Sequence, residues 1–170
     1  MNIGDRQKLY ESQYDSNLLP LLPAIARCDG KAFHSFCRGL DKPFDSNIMK
    51  CMENTAKDLL IFSSAKASYV QSDEITLIWH SIDIKSQIFM NGRINKINSI
   101  LASRATIVLN KEISILLPQK SVLLPIFDCR TYNVPNQWEA FNCLLWRERD
   151  AVRNSILALG QSIFSHKQLQ

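Results

Sequence analysis

The sequence has little of what small proteins use to reinforce a fold outside its hydrophobic core. Its five cysteines have no C-x-x-C spacing, and only three histidines accompany them, so no structural zinc site is legible. The odd number of cysteines favours free thiols, as in a reducing cytoplasm. At 170 residues the chain is long enough to bury a core without disulfides or zinc. We therefore expect one cytoplasmic domain over residues 1–170.

The chain also lacks a long apolar run and a strong excess of charge. No apolar segment approaches the ~20 residues that a helix needs to cross a bilayer. The polar start, MNIGDRQKLYESQYDS, is not typical of a signal peptide or a membrane anchor, so we expect no membrane partner. The net charge of +4, from 20 basic and 16 acidic residues, permits a nucleic-acid partner without requiring one.

The apolar patterns predict the order strand, helix, hairpin, helix, strand, helix, after a short polar helix in residues 1–18. The predicted segments are a strand at 21–30, a helix that begins at Asp45 or Ser46, a hairpin around 69–79, a helix within 84–111 that Asn91-Gly92 interrupts, a strand at 123–127 and a helix at 137–170. This order favours an α+β fold of the ferredoxin-like, polymerase palm type, an antiparallel sheet with helices on one face. Because no closing strand follows the final SHKQLQ, we expect this domain to be truncated at its C-terminus.

Residues 84–111 contain five basic side chains and no acidic one. On one continuous helix, Lys85, Arg93, Lys96 and Arg104 would share an arc of roughly 100°. Such a stripe is compatible with an RNA-binding surface, and also with an ordinary solvated helix face.

Two adjacent carboxylates, Asp73 and Glu74, lie between strand-like residues in SYVQSDEITLIW. A solvated turn is one interpretation of this pattern. In a palm-type sheet, however, the end of the first strand can lie beside the tip of the hairpin, which would bring Asp29 next to them. Clustered carboxylates repel one another, and Mg²⁺ removes the conflict while it binds substrate phosphates. The second interpretation is therefore a phosphoryl-transfer site with two Mg²⁺ ions, in which the Gly30 carbonyl can join as a ligand.

Five motifs occur in order between Arg27 and Ser155. They are RCDGKAFHSF, DKPFD, YVQSDE, FDCR and WRERDAVRNS. Together they resemble the tRNA-histidine guanylyltransferase family, the 3′–5′ polymerases, whose patterns include R-x-D-G-(R/K)-x-F-H-x-F, G-Q-S-D-E and R-x-x-D-(A/C)-x-x-N. The resemblance covers most of the chain and implies a palm domain that acts with two Mg²⁺ ions. Family members usually continue beyond the point where this sequence ends.

The resemblance implies roles for three groups of residues. Asp29, Asp73 and Glu74 would be catalytic, with Asp29, Asp73 and the Gly30 carbonyl as metal ligands. Ser72, Arg93, Lys96, His34 and Lys42 would bind the nucleotide. Arg130, Arg147, Asp150 and Asn154 would contact tRNA or organise the active site.

Other interpretations of these residues stay open. Arg93 and Lys96 are compatible with a solvated helix face, and Lys42 with an ordinary surface lysine. His34 is compatible with a role in holding its loop in place. Asp150 is compatible with a helix-surface ion pair to Arg147 or to Arg153.

The sequence departs from the family pattern where members dedicated to histidine tRNA carry H-I-N-N. The residues at this point are Val152, Arg153, Asn154 and Ser155, so the histidine is missing. This pattern is closer to the guanylyltransferase-like branch of bacteria, archaea, phages and some protists, which adds templated nucleotides to 5′-truncated tRNAs. Val70 also replaces a common glycine before Q-S-D-E, a change that a strand can absorb.

The resemblance therefore implies a templated 3′–5′ nucleotidyltransferase that repairs tRNA 5′ ends, with ATP, GTP and other nucleoside triphosphates as substrates. Guanylate addition to histidine tRNA is the alternative within the same class. A catalytically incompetent fragment or paralogue that binds RNA or a partner subunit is the alternative of another class. For a full-length protein the resemblance also implies a homo-oligomer, a dimer or a tetramer.

Overall fold

A computed structural model describes residues 1–164 as four strands and five helices, with two short 3-10 segments at Phe89–Gly92 and Pro118–Leu123. The strands are β1 (Ala24–Gly30), β2 (Ala67–Gln71), β3 (Glu74–Trp79) and β4 (Phe127–Asn133), and the helices are α1 (Ile3–Ser12), α2 (Phe33–Phe36), α3 (Ser46–Ser63), α4 (Ile94–Leu116) and α5 (Gln137–Ile163). The predicted order of elements is confirmed. The last residues of the predicted final helix, 165–170, lie outside the described residues.

The four strands form one antiparallel sheet in the order β2-β3-β1-β4. The central strand β1 pairs with β3 on one side and with β4 on the other. Helix α3 connects β1 to the β2–β3 hairpin, and α4 connects that hairpin to β4. This is the ferredoxin-like arrangement, so the predicted α+β palm class is confirmed.

Helices α3 and α4 cover one face of the sheet and form the main core. Alternate residues of β1, namely Ala24, Ala26 and Cys28, point into this core, as their spacing in a strand requires. Helix α4 contributes buried residues at helical spacing: Ile97, Leu101, Ala105, Leu109 and Ile113. Asp45 begins α3, since its carboxylate accepts hydrogen bonds from the N–H groups of Asn47 and Ile48 at 2.9 and 3.1 Å.

The last helix, α5, lies on the opposite face of the sheet, where no helix was expected. A second, smaller apolar cluster of Ile25, Ile78, Ala140 and Cys143 joins α5 to β1 and β3. The prediction of helices on one face therefore holds for α3 and α4 and is incomplete for α5. Within residues 1–164, none of the helices has the length and apolar character needed to cross a membrane.

Local backbone conformation interrupts the predicted helix within 84–111 at Asn91-Gly92, as expected, and shifts the start of the strand predicted at 123–127. Met90, Asn91 and Gly92 have φ values of 51°, 54° and 72°, so the chain turns there and α4 begins only at Ile94. Lys85 consequently lies outside α4, and the predicted basic stripe from Lys85 to Arg104 is wrong. The strand predicted at 123–127 begins at Phe127 instead, because Leu124 has a φ of 43° and Pro125 has no N–H to donate.

Two isoleucines of α4 offer a matched test of this core. Ile113 is fully buried, whereas Ile115 is 62% exposed. We expect Ile113→Ala to lower the free energy of unfolding by about 2–5 kcal/mol, because it leaves a cavity. Ile115→Ala should change it by less than ~0.5 kcal/mol. Urea denaturation of both variants measures the difference, and equal losses would contradict the assigned faces of α4.

Candidate active site

Carboxylates gather at the end of the sheet where β1 stops. Asp29 of β1 is paired with Glu74 of β3 on one side and with Asp128 of β4 on the other. Asp73 directly precedes Glu74 in the turn between β2 and β3. By strand alternation, the side chains of Asp29, Glu74 and Asp128 share the sheet face that α5 covers. The structure therefore brings together the three predicted catalytic residues and adds Asp128 to them.

Gly30 allows the closest approach in this cluster. Its N–H donates a hydrogen bond to the Asp73 carbonyl at 3.0 Å. A Cβ at Gly30 would lie 2.6 Å from Cδ2 of Phe33 and 3.0 Å from Cβ of Asp73. Any larger residue would displace one of these groups, so glycine is required where the turn meets the end of β1.

The turn residues Ser72 and Asp73 determine how Asp73 enters the cluster. Ser72 is exposed and has a φ of 51°, in the left-handed region that serine seldom adopts. Burial raises the pKa of Asp73, and the Asp29 carboxylate adds to this increase, while a hydrogen bond from Ser72 opposes it. Repulsion between the clustered carboxylates, inferred from the sequence, is therefore present in the fold.

Glu74 differs from its neighbours because two arginines surround it. Its Oε1 lies 2.8 Å from Nε of Arg147, and its Oε2 lies 3.5 Å from Nε of Arg27. Neither atom of the closer pair makes a directed hydrogen bond, so this contact is an ion pair. Burial raises the pKa of Glu74, whereas Arg147 and Arg27 lower it. The arginines thus favour the ionised form of a carboxylate that is only 13% exposed.

Asp150 of α5 extends this ion-pair network. It accepts a hydrogen bond from Nη2 of Arg147 at 2.7 Å and one from Nη2 of Arg153 at 2.6 Å. Gln71 of β2 and Asn154 of α5 each donate to it at 3.3 Å. The helix ion pairs considered for Asp150 are therefore both present. Arg147 is only 7% exposed, so its predicted contact with tRNA does not fit the structure, and its guanidinium contacts Glu74 and Asp150 instead.

Arg130 is the exposed cation of the cluster. Its Nη2 lies 3.1 Å from Oδ1 of Asp128 and 3.9 Å from Oδ2 of Asp29. Because Arg130 follows Asp128 by two residues on β4, both side chains lie on the same face as Asp29. This position is compatible with its predicted contact with the substrate.

His34 and Lys42 lie on the segment that leaves the carboxylate end of β1. Both side chains are exposed, whereas their neighbours Phe33 and Phe36 are buried. The phenylalanines are therefore core residues. The roles of His34 and Lys42 in nucleotide binding stay predictions.

Arg93 and Lys96 lie at the other end of the sheet. Arg93 forms a salt bridge with Asp15 at 2.9 Å and a β-bridge with Asn17, on the segment that leads into the start of β1. From Ala24, where β1 starts, to Asp29 the strand advances five residues, which is roughly 17 Å. Within one chain, the predicted nucleotide contacts of Arg93 and Lys96 therefore do not share a site with the carboxylates.

Three residues of this site were not assigned roles from the sequence: Arg27, Gln71 and Asp128. Arg27 is two residues before Asp29 in β1, so strand alternation places both on one face. Its guanidinium lies 5.3 Å from the centre of the Trp146 ring, and that of Arg147 lies 4.0 Å from the same ring. A charged residue inside an otherwise apolar strand was the signal that could have identified Arg27.

The cluster offers the oxygen donors that Mg²⁺ prefers. Asp29 and Gly30 are consecutive in β1, Gly30 contacts Asp73 through its N–H, and the Gly30 position has no room for a side chain. Within residues 1–164, no group of three or more His, Cys, Asp or Glu side chains is arranged to hold a metal ion by itself. Mg²⁺ is commonly bound by one or two carboxylates together with substrate phosphates, so the residues present fit a site that the substrate completes.

Residues 4–135 match the sequence model of a family described as tRNAHis guanylyltransferase, Thg1. The chain belongs to the tRNAHis guanylyltransferase family. This finding confirms the resemblance seen in the five motifs. The matched range includes Asp29, Asp73 and Glu74 and ends before α5.

Similar proteins extend the match over nearly the whole chain. A bacterial Thg1-like protein solved in complex with ATP is 37% identical, with a TM-score of 0.92 over 98% of this chain and 72% of its own. The same kind of protein in complex with GTP has a TM-score of 0.91, covers 97% of this chain and 78% of its own, and is also 37% identical. The tRNA(His) guanylyltransferase of Debaryomyces hansenii is 30% identical over 86% of this chain.

The chain spans less than two thirds of the curated relatives that it matches. It covers 57% of the Debaryomyces hansenii enzyme. It covers 65% of an uncharacterized protein of Acanthamoeba polyphaga mimivirus, which is 31% identical over 99% of this chain.

The ion pair between Arg147 and Glu74 generates a prediction about stability. Arg147→Met removes a buried partner of Glu74, and we expect it to lower the free energy of unfolding at neutral pH by about 3 kcal/mol. The loss should shrink as the pH falls through the pKa of Glu74, because a protonated Glu74 needs no cation. Denaturation at several pH values measures this, with Arg149→Met, at an exposed position of α5, as the control. A loss that is constant with pH would contradict the ion-pair assignment.

Proposed function

We propose that this chain is the catalytic palm of a templated 3′–5′ nucleotidyltransferase that adds nucleotides to the 5′ ends of truncated tRNAs. The observation that carries the proposal is the position of Asp29, paired with Glu74 and adjacent through Gly30 to Asp73, in a member of the Thg1 family. Three carboxylates at the end of a palm-type sheet suit phosphoryl transfer, in which catalysis is mostly positioning and charge stabilisation.

Asp29, Asp73 and the Gly30 carbonyl are the groups that would hold Mg²⁺, as two ions in the proposed reaction. Bound there, Mg²⁺ would lower the pKa of the attacking hydroxyl and neutralise charge on the leaving phosphate. Asp29 remains 43% exposed, so a substrate phosphate can reach it. Glu74 is held by Arg27 and Arg147, and its role is to fix the turn that carries Asp73.

In the proposed reaction the 3′-hydroxyl of a nucleoside triphosphate attacks the 5′-terminal phosphorus of an activated tRNA. A bond forms between that oxygen and phosphorus while the bond from phosphorus to the leaving oxygen of pyrophosphate or AMP breaks, and the hydroxyl proton passes to water. The half-exposed guanidinium of Arg130 lies beside Asp29 and can contact a phosphate oxygen. The hydroxyl of exposed Ser72, next to Asp73, can turn from that carboxylate and donate its one hydrogen to another phosphate oxygen. Base pairing with the opposite tRNA strand selects the nucleotide.

Two related proteins support the choice of substrates. The bacterial Thg1-like proteins solved with ATP and with GTP are the structural matches of highest similarity described above. We propose that both nucleotides bind this chain, with His34 and Lys42 as contacts on the segment after Gly30. The same resemblance supports tRNA as the acceptor, with Asn154 and Arg130 as exposed polar contacts.

The repair of truncated tRNAs is favoured over guanylate addition to histidine tRNA by the residue at position 152. Val152 stands where dedicated family members carry a histidine, and it is exposed on α5. A binding function without catalysis is the further alternative, because the chain spans only part of its relatives. Five free cysteines support a reducing compartment such as the cytoplasm.

We also propose a homo-oligomer for the full-length protein. The second half of α5 carries exposed apolar side chains on several sides, including Ile156, Leu157 and Ile163 at 65%, 55% and 64% exposure. Contiguous exposed apolar surface is typical of interaction sites.

Nucleotide addition tests the catalytic assignment. The substrate is a 5′-monophosphorylated tRNA that lacks one 5′ nucleotide, supplied with Mg²⁺, ATP and each nucleoside triphosphate in turn. We expect addition of the complementary nucleotide only, and a loss of roughly 100-fold or more in Asp29→Asn and Asp73→Asn. Asp5→Asn, on exposed helix α1, should retain activity.

In this assay, the choice of tRNA that receives the nucleotide distinguishes the proposed function from its alternatives. Preference for a histidine tRNA that lacks only its extra 5′ guanylate would favour the alternative reaction. RNA binding that weakens with salt, with no addition to any acceptor, would favour the binding function. Full activity of either aspartate variant would refute the assigned site.

Thermal unfolding tests the proposed metal ligands without an activity measurement. Because Mg²⁺ should bind the folded chain alone, it should raise the melting temperature of the wild type by about 2–4 °C for each kcal/mol of binding energy. Asp73→Asn should show a smaller increase, and Asp5→Asn the full increase. Equal increases in all three proteins would contradict metal binding at Asp73.

A further inference from the structure

A lysine outside all five motifs, Lys120, contacts the segment that leaves β1. It lies in the 3-10 segment Pro118–Leu123, next to the carboxylate end of the sheet. Its Nζ donates a hydrogen bond to the Phe36 carbonyl at 3.0 Å and a second one to the Arg38 carbonyl. It also lies 5.9 Å from the centre of the Phe36 ring. Carbonyls at the end of a helix lack intrahelical donors, so a cation at this position is favourable.

A short chain of contacts connects Lys120 to the candidate active site. The Phe36 ring packs against the Phe33 ring with centroids 5.2 Å apart. Phe33 in turn is the residue nearest to the point that a Cβ at Gly30 would occupy. Burial raises the pKa of the Cys37 thiol, and the charges of Asp73 and Lys120 act on that pKa in opposite directions.

The segment between α2 and α3 packs Cys37 and Leu40 against the main core, whereas Arg38 and Gly39 between them are exposed. At Gly39, with a φ of 80°, no atom lies within 4 Å of the position that a Cβ would occupy. Farther along, the Asp41 N–H donates to the Asp45 carboxylate at 3.3 Å, where Asp45 also begins α3. Lys120 thus anchors the first part of the segment and Asp45 anchors the last part.

We propose that Lys120 is a positioning residue that fixes residues 34–42 beside the carboxylates and so preorganises the nucleotide contacts of His34 and Lys42. The part of this inference that concerns nucleotide binding rests on the proposed function. A mobile segment would lose conformational entropy when a nucleotide binds, and this loss would weaken binding. With Lys120 in place, the same entropy is lost on folding, so the nucleotide meets an ordered segment.

Limited digestion with trypsin tests the anchor without any nucleotide. Arg38 is the exposed cleavage site of the segment, since Lys42 is followed by Pro43 and is a poor site. Lys120→Met keeps the aliphatic chain and removes the ammonium group, and we expect roughly tenfold faster cleavage after Arg38. Lys120→Arg should restore slow cleavage. Lys111→Met, at an exposed position of α4, is the matched control and should cleave at the wild-type rate.

Nucleotide affinity and steady-state kinetics test the consequence for binding. For Lys120→Met we expect about tenfold weaker binding of ATP by calorimetry with Mg²⁺, and a tenfold higher KM for the added nucleotide, with kcat within about threefold of wild type. If Lys120 had a purely structural role, Lys120→Met would change the melting temperature but would not raise KM while leaving kcat nearly unchanged. Lys120→Arg would then restore nothing in KM.

The outcomes separate this inference from the proposed function. Unchanged cleavage in Lys120→Met would overturn the anchor, and faster cleavage with unchanged nucleotide affinity would overturn the positioning role. If the wild-type chain binds neither ATP nor GTP, the proposed function and the nucleotide part of the inference both fail, while the cleavage rates still decide whether Lys120 orders the segment.

Discussion

The candidate site depends on the register of β1 with its two neighbours. Ala24, Ala26 and Cys28 are buried against α3 and α4, so Arg27 and Asp29 must point to the other face. A shift of one residue would exchange the two sets, placing charges in the core and exposing its apolar residues, at a large cost in free energy. Burial of apolar surface therefore brings Asp29 opposite Glu74 and Asp128, although the carboxylates themselves repel one another.

The clustered carboxylates have two different electrostatic environments. Glu74 has two permanent cations, Arg27 and Arg147, and both are largely buried with it. Asp73 forms no salt bridge among residues 1–164, and burial raises its pKa. Asp29 stays partly exposed and lies 3.9 Å from the half-exposed Arg130. The described fold thus gives Glu74 fixed positive charge, and the proposed Mg²⁺ would supply the corresponding charge at Asp29 and Asp73.

The sequence predicted those parts of the site that depend on local pattern. Asp73 and Glu74 were identified because a polar pair interrupts a strand-like run, and Asp29 because it ends an apolar strand. The ion pair of Arg147 with Glu74 was not predicted, because it depends on which sheet face α5 covers and the motif alone carries no such information. The position of Arg93 followed from topology and was missed. Since β3 runs away from the carboxylates, the helix that follows it has to begin at the opposite end of the sheet.

The two faces of the sheet separate stability from chemistry. The face under α3 and α4 carries nearly all of the large buried apolar residues of the described chain, and Phe33 of that core lies beside Gly30 and Asp73. The face under α5 has a small apolar cluster, and its remaining contacts are charged or polar. Substitutions on the first face therefore act mainly on the free energy of folding. Substitutions on the second change the charge around Asp29 and Asp73, because Arg147 and Asp150 of α5 contact Glu74 and Gln71 there.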